Sequence, residues 1–286
     1  MEGGWLTRLA AVLGWGPVAS IRRVLDRYGA AGGGLLAGGL AYSALFAIVP
    51  LTALIAGIIG LVVDDEARRT AVVSAIADVL PPLRDVVRLV LEEAAGAAGA
   101  ISILGGVTLV WGASRFAVSF EDAMGRIFGG VQRRGFMRRN AAALVAVVGL
   151  IGVAFLGAVL AGLASFLDAA EGRGGPVVGF VVGAVLALVP SVLTAATVAL
   201  VYRLVPVGAP RWRALLPPAI VVALVLTVLT RVFVFIAPRL VGAAATIGAL
   251  ATAFAALAWL SLSFQAILLG AAWVRERDQP RDPAGG

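Results

Sequence analysis

The chain contains no cysteine, no histidine and no lysine. Without thiols there are no disulfides and no thiolate metal sites, and without imidazole there is no histidine acid, base or metal ligand. The zinc-dependent ribonucleases hold their metal with a histidine-rich site, so that activity is excluded for this chain. Charge is scarce: Asp, Glu and Arg together make up 14% of 286 residues, against roughly 25% in soluble domains. What is abundant is apolar surface, with 61% hydrophobic residues and a mean hydropathy of +1.01. All 23 basic residues are arginine, which GC-rich codon usage explains better than a functional preference. A sequence pI near 11.2 would suit nucleic acid in a soluble protein. In a membrane protein basic loops set orientation and meet anionic headgroups, so lipids and not nucleic acid are the expected partners.

Apolar stretches of 18 residues or more recur along the length, and each is a candidate spanning helix. The reading is an all-α, polytopic membrane helical bundle with six transmembrane helices, near Gly32–Val63, Ile101–Phe120, Ala141–Leu167, Pro176–Tyr202, Ala214–Ile236 and Ala244–Trp273. Arg22, Arg23 and Asp26 interrupt the opening region, and the first apolar run is too long for a signal peptide. Arginine sets the sidedness. The N-terminal segment, the Glu121–Asn140 loop, the Arg203–Arg213 loop and the C-terminal tail hold four, five, three and three arginines; the alternate loops hold four, one and one. The positive-inside rule then places both termini in the cytoplasm.

Two further segments lie outside these spans and read as helical. "SIRRVLDRYG" sets Ile21, Val24 and Leu25 against Arg22, Arg23 and Asp26 and reads as an interfacial helix at the lipid surface. Residues 64–99 read as an extracytoplasmic amphipathic helix pair broken at Pro81-Pro82, either packed over the bundle or forming an outer lid. The domain organisation is a cytoplasmic segment over 1–31, a six-span membrane domain over 32–274 and a disordered tail over 275–286. "GAAGGGLLAGGL" at Gly29–Leu40 lacks the lysine and strand context of a phosphate loop and fits close backbone packing.

Ionisable groups within spans face the bundle interior, water or the interface. Arg115 sits in the second span, with Glu121 and Asp122 one to two turns on; it either snorkels to the interface or meets an anionic headgroup or substrate in a vestibule. Arg231 is its counterpart near the other face. Gln265, beside Ser261 and Ser263, reads as a hydrogen-bonding bridge between helices or as a ligand contact. Pro50 and Pro190 each remove a helical N–H and predict bends, as a packed kink or as a cavity wall. Tyr42, two turns before Pro50, is expected to share its face and aim its hydroxyl at the bundle. "FAIVPLTAL" echoes "LALVPSVLT", and "SRF" echoes "TRVF", which suggests inverted halves of three spans each. Gly149, Gly157, Ala161 and Ser165 form a small-residue stripe on the third span, suited to close helix packing and leaving a homo-oligomer open.

"LAYSALFAIVP" at Leu40–Pro50, "VWGASRFAVSFEDAMGRIFG" at Val110–Gly129, and "WRALLPPAIVVALVLTVLTRVFVFI" followed by "TIGALATAFAALAWLSLSFQAILLGA" resemble the YihY/BrkB family of bacterial inner-membrane proteins. The resemblance implies six helices with both ends cytoplasmic. Its members, once labelled ribonuclease BN, are regarded as candidate transporters or envelope-maintenance proteins, with suggested links to serum resistance and lipid export. Gly125, Pro218, Ser261 and Ala272 depart from the family's common asparagine, glycine, tyrosine and glutamate, so the roles of those polar groups do not carry over. The function expected is transport or export of an amphiphilic or anionic solute, a lipid included. The alternative is a non-transporting envelope scaffold with a filled core. No catalytic residue, cofactor or metal is expected, since no Ser–His pair and no intraspan aspartate pair is present.

Overall fold

The computed structural model describes residues 16–62, 100–129, 191–206, 210–243 and 249–279. They form α1 (Gly16–Ala30), α2 (Gly33–Val62), α3 (Ala100–Phe128), α4 (Ser191–Leu204), α5 (Trp212–Ala243) and α6 (Ala249–Asp278). No strand occurs among the described residues. The expected third span with its small-residue stripe, the helix pair over 64–99, and Pro190 lie outside them, and so does the superposition that would test inverted halves.

Among the described residues two helices are long and apolar enough to cross a membrane, Trp212–Ile236 with mean hydropathy 2.7 and Thr252–Asp278 with 1.8. Val18–Ala30 and Gly33–Ile48, bent by 60° at the break between them, would make a third candidate as one broken span. The bend is built from glycine. Gly32 takes φ 70°, a left-handed conformation open to glycine at little cost. Its N–H bonds the Gly29 carbonyl at 2.9 Å, closing α1, and its carbonyl accepts from Leu36 at 3.0 Å, opening α2. Gly33 lies flat beneath the Tyr28 ring, where a Cβ would collide with it. α2 then runs through Pro50 as one helical element.

α6 is the hub, packing against α5, α2, α1 and α3. Its face toward α4 and α5 narrows to Gly270, where a Cβ would strike the Tyr202 hydroxyl and Val222. Removing the side chain lets Tyr202, fully buried, reach one turn back and donate to the Ile267 carbonyl at 2.7 Å. On its α3 side, Phe264 meets Phe116 and Phe120, with ring centroids 5.8 and 6.3 Å away.

The core is built largely from small side chains. Ala37, Ala41 and Ala44 of α2, Ala123 of α3, Ala219 and Ala223 of α5, and Ala256, Ala271 and Ala272 of α6 are buried, while Leu216, Ile220, Leu224, Val228 and Phe235 of α5 are exposed. Lipid tails are as apolar as leucine, so association in a bilayer is driven by close packing, and small residues mark the interior.

Three expectations change. α3 does not end at Phe120: it continues to Phe128, because Ala123, Met124, Ile127 and Phe128 extend its buried stripe. Glu121 and Asp122 are therefore helical and not part of a loop. α6 runs on to Asp278 through the start of the expected tail, held by bonds from its last turn. The apolar face of α1 is divided: Val24 and Tyr28 pack against the core, whereas Ile21 and Leu25 are exposed.

Candidate functional site

α2 and α3 approach closely at Gly112, where a Cβ would sit 3.3 Å from the Phe46 carbonyl oxygen and 3.5 Å from the Ala47 Cα. Glycine here lets one backbone lie on the other. Four large side chains flank this contact on exposed faces: Tyr42 (59% exposed) and Phe46 (54%) on α2, Trp111 (60%) and Arg115 on α3. Residues four apart stand one above the other on a helix. Accordingly the Tyr42 and Phe46 rings meet with centroids 4.6 Å apart, and the Arg115 guanidinium lies 5.7 Å from the centre of the Trp111 ring.

Of these four along the seam, Tyr42 and Arg115 were singled out by sequence, and Phe46 and Trp111 were missed. The four-residue spacing of Tyr42–Phe46 and Trp111–Arg115 was the available signal. Tyr42 differs from expectation: it is exposed, and Leu40, Ala41 and Ala44 take the core-facing positions. Among the described residues Arg115 makes no ion pair. Asp122, exposed two turns on, and Glu121, half-buried, do not reach it.

The remaining candidates do not join the seam. Arg231 is exposed on α5 among exposed apolar side chains such as Val228 and Val232, and it too forms no ion pair with a described residue. Arg239, two turns further along, folds back over the Phe235 ring at 3.7 Å and donates to the Phe235 carbonyl at 2.6 Å. Gln265 donates to Ser261 at 3.4 Å within α6, so this bond lies inside one helix and does not bridge two. The reason is register: residues 261 and 265 are one turn apart on α6. Ser263 and Trp259, also one turn apart, bury Oγ and Nε1 without a partner among the described groups. Pro50 lies within α2.

A second polar assembly closes one end of the bundle. Glu276, 14% exposed at its side chain, receives the Arg23 guanidinium and lies 3.9 Å from Arg27. Arg27 also donates to Gln279 at 3.2 Å. Asp278 accepts the backbone N–H of Arg211 at 3.1 Å, at the start of α5. Arg203 at the end of α4 donates to the Pro210 carbonyl at 2.6 Å and lies 5.7 Å from the centre of the Trp212 ring. The last turn of α6 thus clasps α1 and the α4–α5 corner together. Sequence reading counted these arginines for orientation and missed their partners, which for Arg23 and Arg27 come from the far end of the chain. No group of three or more carboxylates able to hold a metal occurs among the described residues.

No curated protein and no solved structure matches the chain. A family profile described as "Virulence factor BrkB" matches residues 24–285, from the middle of α1 through the whole of α6. The match accords with the apolar helices and with the resemblance carried by the Leu40–Pro50 and Val110–Gly129 segments. With nearly the whole length inside it, this membrane protein belongs to the BrkB virulence-factor family.

Proposed function

We propose that the protein is a multi-pass carrier that moves or exports an anionic or amphiphilic solute, a lipid included, across the bacterial inner membrane. In this reading it has six spans and both termini in the cytoplasm. One observation carries the proposal: Arg115 is exposed on a largely apolar stretch of helix, stacked on Trp111, with no described carboxylate within ion-pair distance. A charge at such a place is costly unless an anion or water meets it, and arginines in apolar segments mark substrate and ion pathways. Arg231 repeats the situation on α5. The chain carries no phosphate-binding loop and no acid deep in a described span, so a gradient or a partner would supply the energy and strict proton coupling is disfavoured.

A scaffold that organises envelope partners without moving anything is the second reading. It is favoured by the alanine-rich core that the described helices share. Vesicles containing the purified protein, loaded with headgroup-labelled anionic lipid or with fluorescent organic anions, separate the two. The transport reading expects translocation above protein-free vesicles, and its loss in the Arg115→Gln, Arg231→Gln double variant. Equal rates with and without protein would leave the scaffold.

A further inference from the structure

The seam between α2 and α3 has the make-up of a lipid site approached from the side. Gly112 brings the two helices together. α2 turns Ala37, Ala41 and Ala44 inward and α3 turns Ala123 and Ile127 inward. Tyr42, Phe46, Trp111 and Arg115 are left on the exposed faces. The guanidinium is charged at any physiological pH and presents planar donors that match phosphate oxygens. The surface beside it is aromatic, which suits an acyl chain better than a hydrated ion. Within a bilayer the anions that reach such a surface are lipid phosphates.

We infer that this seam holds one anionic phospholipid drawn laterally from the bilayer, its phosphate on Arg115 and its chain over Trp111 and Phe46. The inference rests on the transport reading, for which the seam is the loading position, and it places that position on the flank of the bundle and not in a central cavity.

Trp111 is a built-in reporter. The full chain would be reconstituted in phosphatidylcholine vesicles doped, at equal mole fraction, with phosphatidylglycerol or phosphatidylcholine brominated on the acyl chain. Subtracting the emission of Trp111→Phe from that of the unmodified protein isolates the Trp111 signal. Expected is stronger quenching of that signal by the brominated phosphatidylglycerol, reflecting roughly fivefold local enrichment. The preference should vanish in Arg115→Gln and persist in Arg213→Gln, both checked for helicity by circular dichroism. Equal quenching by the two lipids, or a preference that survives Arg115→Gln, overturns the site. Abolition of the preference by millimolar inorganic phosphate would make it a general anion site and overturn the lipid assignment. Translocation measured on the same vesicles keeps the two ideas apart. Lipid preference without translocation refutes the carrier and leaves the seam, whereas translocation without lipid preference does the reverse.

Discussion

Gly270 is a position where one missing side chain decides the packing of three helices. Tyr202 and Val222 both occupy the volume its Cβ would take. Gly270→Ala is expected to lower stability by about 1–3 kcal/mol through overpacking, read as a lower midpoint of thermal unfolding in detergent. Tyr202→Phe keeps the ring and removes only the donation to Ile267, so its loss should be smaller, about 1 kcal/mol. Ser263 is the opposite case. Its hydroxyl is buried with no partner among the described residues, and an unpaired buried polar group is itself a cost of roughly 1–3 kcal/mol. Ser263→Ala should therefore leave stability unchanged or raise it by the same assay. A clear loss would mean that the hydroxyl is engaged in the membrane.

At the scale of elements, the corner between α1 and α2 and the clasp on α6 act on the same helix. Gly32→Ala forces a Cβ into the left-handed region at about 1–2 kcal/mol. Glu276→Gln removes the charge that holds Arg23 and Arg27. Both should loosen α1, seen as faster tryptic cleavage after Arg22, Arg23 and Arg27 in detergent. High salt should mimic the second change and not the first, because screening acts on ion pairs and not on backbone strain. The extent of α2 and the presence of α1 and α5 were legible in the sequence as long apolar or amphipathic runs, although α5 continues to Ala243, beyond its expected end at Ile236. The rotation of the helices about their axes was not. Leu224 and Val228 of α5 face outward while Ala219 and Ala223 face inward, so hydrophobicity is high all round and carries no phase. Tyr42 was expected on the core side only from its spacing to Pro50, and it faces outward. The small residues held the phase information, and Ala37, Ala41 and Ala44 one turn apart gave it for α2. The seam was half legible: Arg115 and Tyr42 stand out as polar groups in apolar runs, but that each lies about a turn from the α2–α3 contact depends on where the helices cross, which Gly112 marks and no local pattern reveals.

For the molecule as a whole, α5 offers a direct test of orientation. Arg211, Trp212 and Arg213 stand at its beginning and Arg239 lies beyond its 25-residue apolar stretch. That stretch is about 37 Å at helical rise, enough to cross a hydrocarbon core of about 30 Å with some tilt. Because the chain has no cysteine, single replacements report cleanly. Arg213→Cys is expected to react with a membrane-impermeant maleimide only after cells are opened, and Arg239→Cys in intact cells. Labelling of both from one side would remove α5 as a span. The arrangement is predicted from where the arginines fall between the apolar runs, and this labelling is its test.

The clasp between Arg23 and Glu276 joins residues 253 positions apart. A ribosome adding about 5–20 residues per second needs roughly 13 to 50 s to cover that distance. For that interval the newborn α1 has emerged while its carboxylate partner has not yet been made. Until then its glycine hinge, the packing of Tyr28 over Gly33 at the start of α2, and the exposed Ile21 and Leu25, which can settle on the nearby lipid surface, hold it. The architecture is locked last, at the moment the terminal turn of α6 arrives. A message cut short before codon 276 would yield a protein whose first helix lacks its carboxylate clasp and rests on the packing of Val24 and Tyr28 alone.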